Sequence, residues 1–194
     1  MLRLLVALDL PDAVRRRLGA IAHPVSRARW VEPENMHLTL RFVGEIDESH
    51  AADLDAALSQ VSAPAFELAL KGVGHFGVRD RVRVLWVGVE KQPALMELQQ
   101  RIDQAARRAG LPPEGRRFHA HVTLARLRET PLDGVAPFLA GEAAYMSPAF
   151  AATRFTLYSS WRGNDGPAYV AERSYPLAGG EVLEAADDAD WSAP

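Results

Sequence analysis

Met36-His37-Leu38-Thr39-Leu40-Arg41-Phe42-Val43 in the first half of the chain is answered by Ala120-His121-Val122-Thr123-Leu124-Ala125 in the second. Side chains at i and i+2 of a strand share one face. Each segment, taken as a strand, turns an imidazole and a hydroxyl to one side and aliphatic side chains to the other. In the first copy His37, Thr39, Arg41 and Val43 share a face opposite Met36, Leu38, Leu40 and Phe42. In the second, His119, His121, Thr123 and Ala125 lie opposite Phe118, Ala120, Val122 and Leu124. The apolar faces suit packing against helices, whereas the polar faces need water or a ligand.

Upstream, the apolar run Arg3–Leu10 reads as a strand, and Asp9-Leu10-Pro11-Asp12 as its end. A helix carried by Val14, Leu18 and Ile21 follows, up to Pro24. A short extended piece at Ala28–Val31 precedes the first motif strand, Met36–Val43, which Gly44 closes. Asp47 is an N-cap candidate for a helix through Ser59 that turns Leu54 and Leu58 to one side. Phe66–Val73 and Val82–Val89 alternate as strands, joined through Gly72, Gly74, Gly77 and the Arg79-Asp80-Arg81 turn. Pro93 opens a helix with Leu95, Leu98, Ile102, Ala105 and Ala106 on one face, stopping at Gly110. Pro112-Pro113-Glu114-Gly115 is a loop before the second motif strand, Ala120–Leu127. Thr130–Ser147 reads as a short helix and a loop, and Phe150–Ser159 with Ala168–Leu177 as a last strand pair around Arg162–Gly166. Strands and helices mix without a regular βαβ rhythm, which predicts an α+β fold with antiparallel sheet.

The chain has 194 residues, 48% apolar and 24% charged, values ordinary for a soluble globular protein with a sizeable core. There is no cysteine, which excludes disulfides and thiolate-ligated metals. The opening apolar run is too short for a signal peptide before Asp9 and Pro11 interrupt it, and no later stretch approaches the roughly 18 apolar residues of a membrane span. A cytoplasmic protein with no membrane partner is expected. Net charge is −3, but the stretch 179–194 holds five acidic residues and no basic one. Without it the body carries 22 basic and 20 acidic residues. That balance suits a short anionic ligand and not a broad duplex-binding face. The tail itself reads as a disordered end.

Two histidines and two threonines on facing strands suit the chemistry of a phosphate ester. Cleaving a phosphodiester needs a proton taken from the attacking oxygen and another given to the leaving oxygen. Histidine titrates near neutrality, so two of them can begin in opposite protonation states. Threonine hydroxyls two residues away can hold the non-bridging oxygens, and the β-branch keeps them stiff. Charge developing on phosphate can be met by an imidazolium, hydroxyls and an arginine, so no metal and no cofactor is required.

The stretch Trp30-Val31-Glu32-Pro33-Glu34-Asn35-Met36-His37-Leu38-Thr39-Leu40-Arg41-Phe42-Val43-Gly44 closely resembles the first motif region of the 2H phosphoesterase superfamily. More narrowly it resembles the bacterial RNA 2′,3′-cyclic phosphodiesterases, historically called 2′-5′ RNA ligases. His121-Val122-Thr123-Leu124-Ala125-Arg126 is similar to their second motif, and the likeness spans roughly Met1 to Leu177. The resemblance implies a bilobal 2H phosphoesterase-like domain over residues 1–178, with two antiparallel sheets flanking a central cleft and helices outside. It implies metal-independent hydrolysis of a terminal 2′,3′-cyclic phosphate to a 2′-phosphomonoester. His37 would be the proton donor and His121 the base, with Thr39 and Thr123 holding phosphate. Three positions depart from the family pattern: Glu32 where a basic residue is common, Leu5 in place of an aromatic, and His119-Ala120 ahead of the second motif.

Arg41 has the strand parity to reach phosphate, although a rim pair with Glu45 fits it equally. Arg126 has the wrong parity: either the strand bends there and it reaches phosphate, or it supports the cleft indirectly. His119 shares a face with His121 as an auxiliary imidazole, or completes a His37/His119/His121 metal set. Against the metal set, the threonines have no role in it and no carboxylate is close in sequence. Arg116 and Arg117 could guide an RNA strand, and Phe76, Tyr158 and Trp161 could stack a base or pack in the core. The expected partners are RNA 3′ ends or small cyclic phosphates, with no obligate protein partner and a monomeric state. Two other readings remain open at this level. One is 2′-5′ ligation or hydrolysis of another small cyclic phosphate; the other is a non-catalytic module that binds RNA ends or nucleotides.

Overall fold

The computed structural model describes residues 1–22, 25–163 and 166–180. His23, the tip of the Arg162–Gly166 turn and the acidic stretch from residue 181 onward lie outside the described residues. Along the chain come β1 (Leu2–Leu8), α1 (Asp12–Ala20), β2 (Ala28–Trp30), β3 (Leu38–Ile46), α2 (Glu48–Leu58), β4 (Phe66–Leu68), β5 (Leu70–Val78) and β6 (Arg81–Val89). There follow α3 (Pro93–Arg108), β7 (His121–Pro131), α4 (Ala136–Gly141), β8 (Phe150–Ala152), β9 (Arg154–Gly163) and β10 (Gly166–Pro176). Short 3-10 turns occupy Pro33–Asn35 and Leu132–Gly134.

Apart from the two-stranded β4-β8 sheet, the strands make one eight-stranded antiparallel sheet of two halves, β10-β9-β1-β3 and β7-β6-β5, the second extended by β2 along β7. The halves meet at one residue pair, Leu38 with Val122. Leu4 to Leu8 of β1 are all buried, as expected of a strand covered on both faces. Val14 and Leu18 of α1, Leu54 and Leu58 of α2, and Leu95, Leu98 and Ile102 of α3 join one apolar core with the strands. Each large side chain so buried contributes about 1.5–3 kcal/mol relative to exposure. Asp47 caps α2 by accepting from the His50 amide at 2.8 Å, and Pro93 opens α3 behind Gln92.

Three segments differ from their sequence reading. One is Phe150–Ser159, which splits into β8, paired with β4, and β9, paired with β1 and β10. The first motif strand begins at Leu38 and not at Met36. The amides of Asn35 and Met36 are drawn into the Pro33 turn, donating to Glu32 O at 2.9 Å and Pro33 O at 3.1 Å. His37 therefore sits at the junction of turn and strand. Phe66–Val73 is not one strand: β4 pairs with β8, and β5 pairs with β6. The break comes from Ser147, whose hydroxyl accepts from the Leu70 amide at 2.9 Å, and from Tyr145 O, which takes the Gly72 amide at 2.8 Å. Gly72 answers with a φ of +66°, in the region that favours glycine.

Gly74 stands opposite Trp86, and a Cβ there would lie 2.3 Å from the indole ring. Glycine leaves the space that lets the ring lie over the strand. Gly74→Ala is expected to cost about 1–3 kcal/mol through overpacking, read from denaturant midpoints. The cost should shrink in a Trp86→Leu background, and an equal cost in both would refute this account.

Candidate active site

Leu38 and Val122 are the residues between histidine and threonine in each motif, and both are fully buried. Because the pairing is antiparallel, His37 is set toward Thr123 and Thr39 toward His121, all on the face away from the core. A hollow lined by His37, Thr39, Thr123 and Arg126 adjoins a second that contains His121, and Thr39 and Phe42 border both. The four motif side chains thus meet around one cleft.

Just beyond the threonines, both strands bulge at the same place. On β3, Ala7 faces Thr39 and Val6 faces Arg41, so Leu40 is the extra residue. On β7, Trp86 faces Thr123 and Leu85 faces Ala125, so Leu124 is extra. An extra residue reverses the alternation of side chains after it. Phe42 and Arg126 are consequently turned to the cleft, while Arg41 and Ala125 are turned to the core side, where both are buried.

This corrects the reading of Arg41 as a phosphate contact. Its guanidinium pairs with Asp103 of α3 at 2.9 Å, lies 4.0 Å from Glu114 and donates to Pro112 O. Turned away from the cleft, it fastens the Pro112–Glu114 loop to β3. In the other half of the sheet the matching position, Ala125, is held by backbone pairing with Trp30. The same bulge resolves the parity of Arg126, which reaches the cleft.

Each imidazole is held in the same way. His37 Nδ1 lies 2.9 Å from Asn35 O, and His121 Nδ1 lies 2.7 Å from His119 O. A carbonyl only accepts, so Nδ1 carries the proton and Nε2 is left for the cleft. Burial pushes the His37 imidazole down to about 4, with Arg126 and His121 adding to the shift and Asn35 O and Asp9 opposing it. Burial also lowers His121, with the His119 carbonyl opposing and the charges of the His119 ring and Arg126 adding to the shift. Both rings are neutral at pH 7 in the free protein.

Aromatic rings flank both histidines. Tyr158 stacks on His37 at 5.9 Å and Tyr169 meets it edge-on at 4.6 Å. Phe76 stands edge-on to His121 at 4.9 Å, and His119 lies 5.9 Å from the same ring. Arg116 and Arg117 line the His121 side. Trp161 is elsewhere, exposed beside Met1 and Arg3. Among the described residues no group of three or more His, Cys, Asp or Glu is arranged to hold a metal ion. Sequence reading missed Phe42 and Tyr169 at the cleft and Asp9 behind His37. No local sequence signal marked Phe42, because the bulge that turns it to the cleft is set by pairing with β1.

This architecture, one His-x-Thr strand from each half meeting in a cleft, defines a two-histidine phosphoesterase site. The family model of LigT-like phosphoesterases matches the chain twice, over residues 8–86 and 87–169, and the chain belongs to that family. An RNA 2′,3′-cyclic phosphodiesterase of Aeropyrum pernix is 39% identical over 114 residues, 58% of this chain and 65% of that protein. One from Thermotoga maritima is 30% identical over 187 residues, 93% of this chain and 98% of its own length. The crystal structure of Escherichia coli LigT complexed with 3′-AMP superposes with a TM-score of 0.73 at 30% identity, covering 91% of this chain and 98% of that one.

The His37 shift couples stability to pH. An unfolded chain takes up a proton near the ordinary value of 6.5, and the folded ring only near about 4. Stability is therefore expected to fall as pH drops from 6.5 toward 4, with a slope from this one site of up to about 1.4 kcal/mol per pH unit. Denaturant midpoints of wild type and His37→Gln across that window check it. Parallel acid slopes in the two proteins would rule it out.

Proposed function

We propose that this protein hydrolyses RNA 2′,3′-cyclic phosphate ends to 2′-phosphomonoesters by metal-independent acid–base catalysis between His37 and His121. The observation that carries the reading is the Leu38–Val122 pair, which brings a tethered imidazole and a hydroxyl from each half to one cleft. The related proteins named as RNA 2′,3′-cyclic phosphodiesterases support the substrate, and the 3′-AMP complex of the Escherichia coli protein supports a nucleotide in the cleft.

In this mechanism a water oxygen attacks phosphorus while His121 Nε2 takes its proton. The bond from phosphorus to O3′ breaks, and His37 gives a proton to O3′. The phosphate stays on O2′, and the two histidines end with their protons exchanged. Thr39 and Thr123 hold the non-bridging oxygens, and Arg126 offsets the charge that builds on them. His37 must be protonated to act, although burial disfavours that in the free protein. The phosphodiester anion reverses the balance, because an opposite charge nearby favours the imidazolium. The His119 ring and Arg126 oppose protonation of His121, as suits a base, while the His119 carbonyl favours it.

The test is an oligoribonucleotide ending in a 2′,3′-cyclic phosphate, incubated in EDTA. Wild type is expected to yield the 2′-phosphate, and His37→Ala and His121→Ala to lose about a hundredfold or more. The alkaline limb of kcat should lie at higher pH than that of kcat/KM, since bound phosphate raises the acid. A 3′-phosphate product would reverse the substrate orientation, loss in EDTA would overturn metal independence, and absence of turnover would leave a binding module.

A further inference from the structure

The two motifs correspond residue by residue, and so do the strands behind them. β1 sets Leu8 against Leu38, and β6 sets Val87 against Val122. By that register Asp9, the residue after Leu8, corresponds to Gly88, which faces His121. One strand further out, Tyr158 pairs with Leu5 and Phe76 pairs with Val84, the residues that face Phe42 and Arg126. Tyr158 and Phe76 are therefore counterparts, and each lies beside its own histidine. The correspondence breaks in chemistry at these two positions. His37 is backed by a phenol and a carboxylate; His121 is backed by a phenyl ring and a glycine.

The phenol and the carboxylate form one unit. Tyr158 donates its hydroxyl to Asp9 Oδ1, and Thr156 donates to Oδ2 at 2.9 Å. Arg154 lies 3.8 Å behind the same carboxylate. With both oxygens engaged, the carboxylate acts on His37 by its charge and by fixing the ring that His37 stacks on. Burial and Asp9 hold the phenol above its ordinary range, so it remains a donor at every working pH. Tyr169 of β10 closes the other side of His37. Arg126 and His121 of β7 disfavour a charge on His37, Asp9 of β1 favours it, and Glu32 lies across the same hollow.

We propose that Asp9, acting through Tyr158, is the positioning residue that makes His37 the proton donor and leaves its counterpart His121 the acceptor. This rests on the two-histidine reading above. It explains how a fold with two nearly equivalent motifs assigns them unequal roles. The carboxylate steadies the imidazolium that forms on His37 when an anion enters, and among the described residues the counterpart position behind His121 is Gly88.

The test is an NMR titration of the histidine rings in the full chain, with saturating inorganic sulfate to supply a dianion that does not itself titrate. Asp9→Asn keeps the size of the side chain and is expected to lower the His37 midpoint by about half a pH unit or more, with His121 unmoved. Tyr158→Phe should move His37 in the same direction by less, and it provides the reading should Asp9→Asn fail to fold. The alkaline limb of kcat for a 2′,3′-cyclic substrate should follow the same shift. An unchanged His37 midpoint, or equal shifts of both rings, would overturn the proposal. Because the titration needs no turnover, an inactive wild type would sink the phosphodiesterase reading and leave this result to be judged separately.

Discussion

One antiparallel residue pair, Leu38 with Val122, joins the two halves of the main sheet, and the cleft depends on it. Both side chains are wholly withdrawn from solvent, so the register is set by burial. A slip of one residue would turn the imidazoles and hydroxyls into the core and the aliphatic groups into the cleft. The penalty for burying unpaired polar groups is what forbids that slip. Histidine and threonine are thus placed by the hydrophobic residue between them.

The paired bulges give each half a third residue in the cleft, Phe42 in one and Arg126 in the other. Helix α3 supports the bulge on β3 from behind, with Gln99 donating to Leu40 O at 3.5 Å and Asp103 pairing with Arg41. These two side chains are a turn apart on one helix face. The buried guanidinium gathers strand, helix and loop at the point where the other half uses β2 as a strand. A charge taken out of water needs partners of this kind, and Asp103, Glu114 and Pro112 O supply them. Two halves with the same motif thereby reach the same backbone shape by different chemistry.

Local signals carried far in the reading of this chain. Asp47 as a cap, Pro93 as a helix start and the apolar stripe of α3 depend on neighbours within a few residues, and the structure places them as read. Strand parity held from His37 to Thr39 and from His121 to Thr123. It failed at Arg41, because a bulge is settled by the partner strand and by the helix behind it. The break between β4 and β5 was hidden for the same reason, since the groups that make it come from Ser147 and Tyr145, far along the chain.

What the sequence determined by itself was the repeated His-x-Thr pattern, its alternation of polar and apolar faces, and with these the class of chemistry. Those properties follow from the period of a strand, which is a covalent fact of the chain. Only the tertiary structure decided that the two patterns pair at their central residues, that Phe42 and Arg126 and not Arg41 face the cleft, and that Asp9 backs His37 where Gly88 stands by His121. The proton preference of each imidazole followed from that packing, because burial and the nearest charges act through space and not along the sequence.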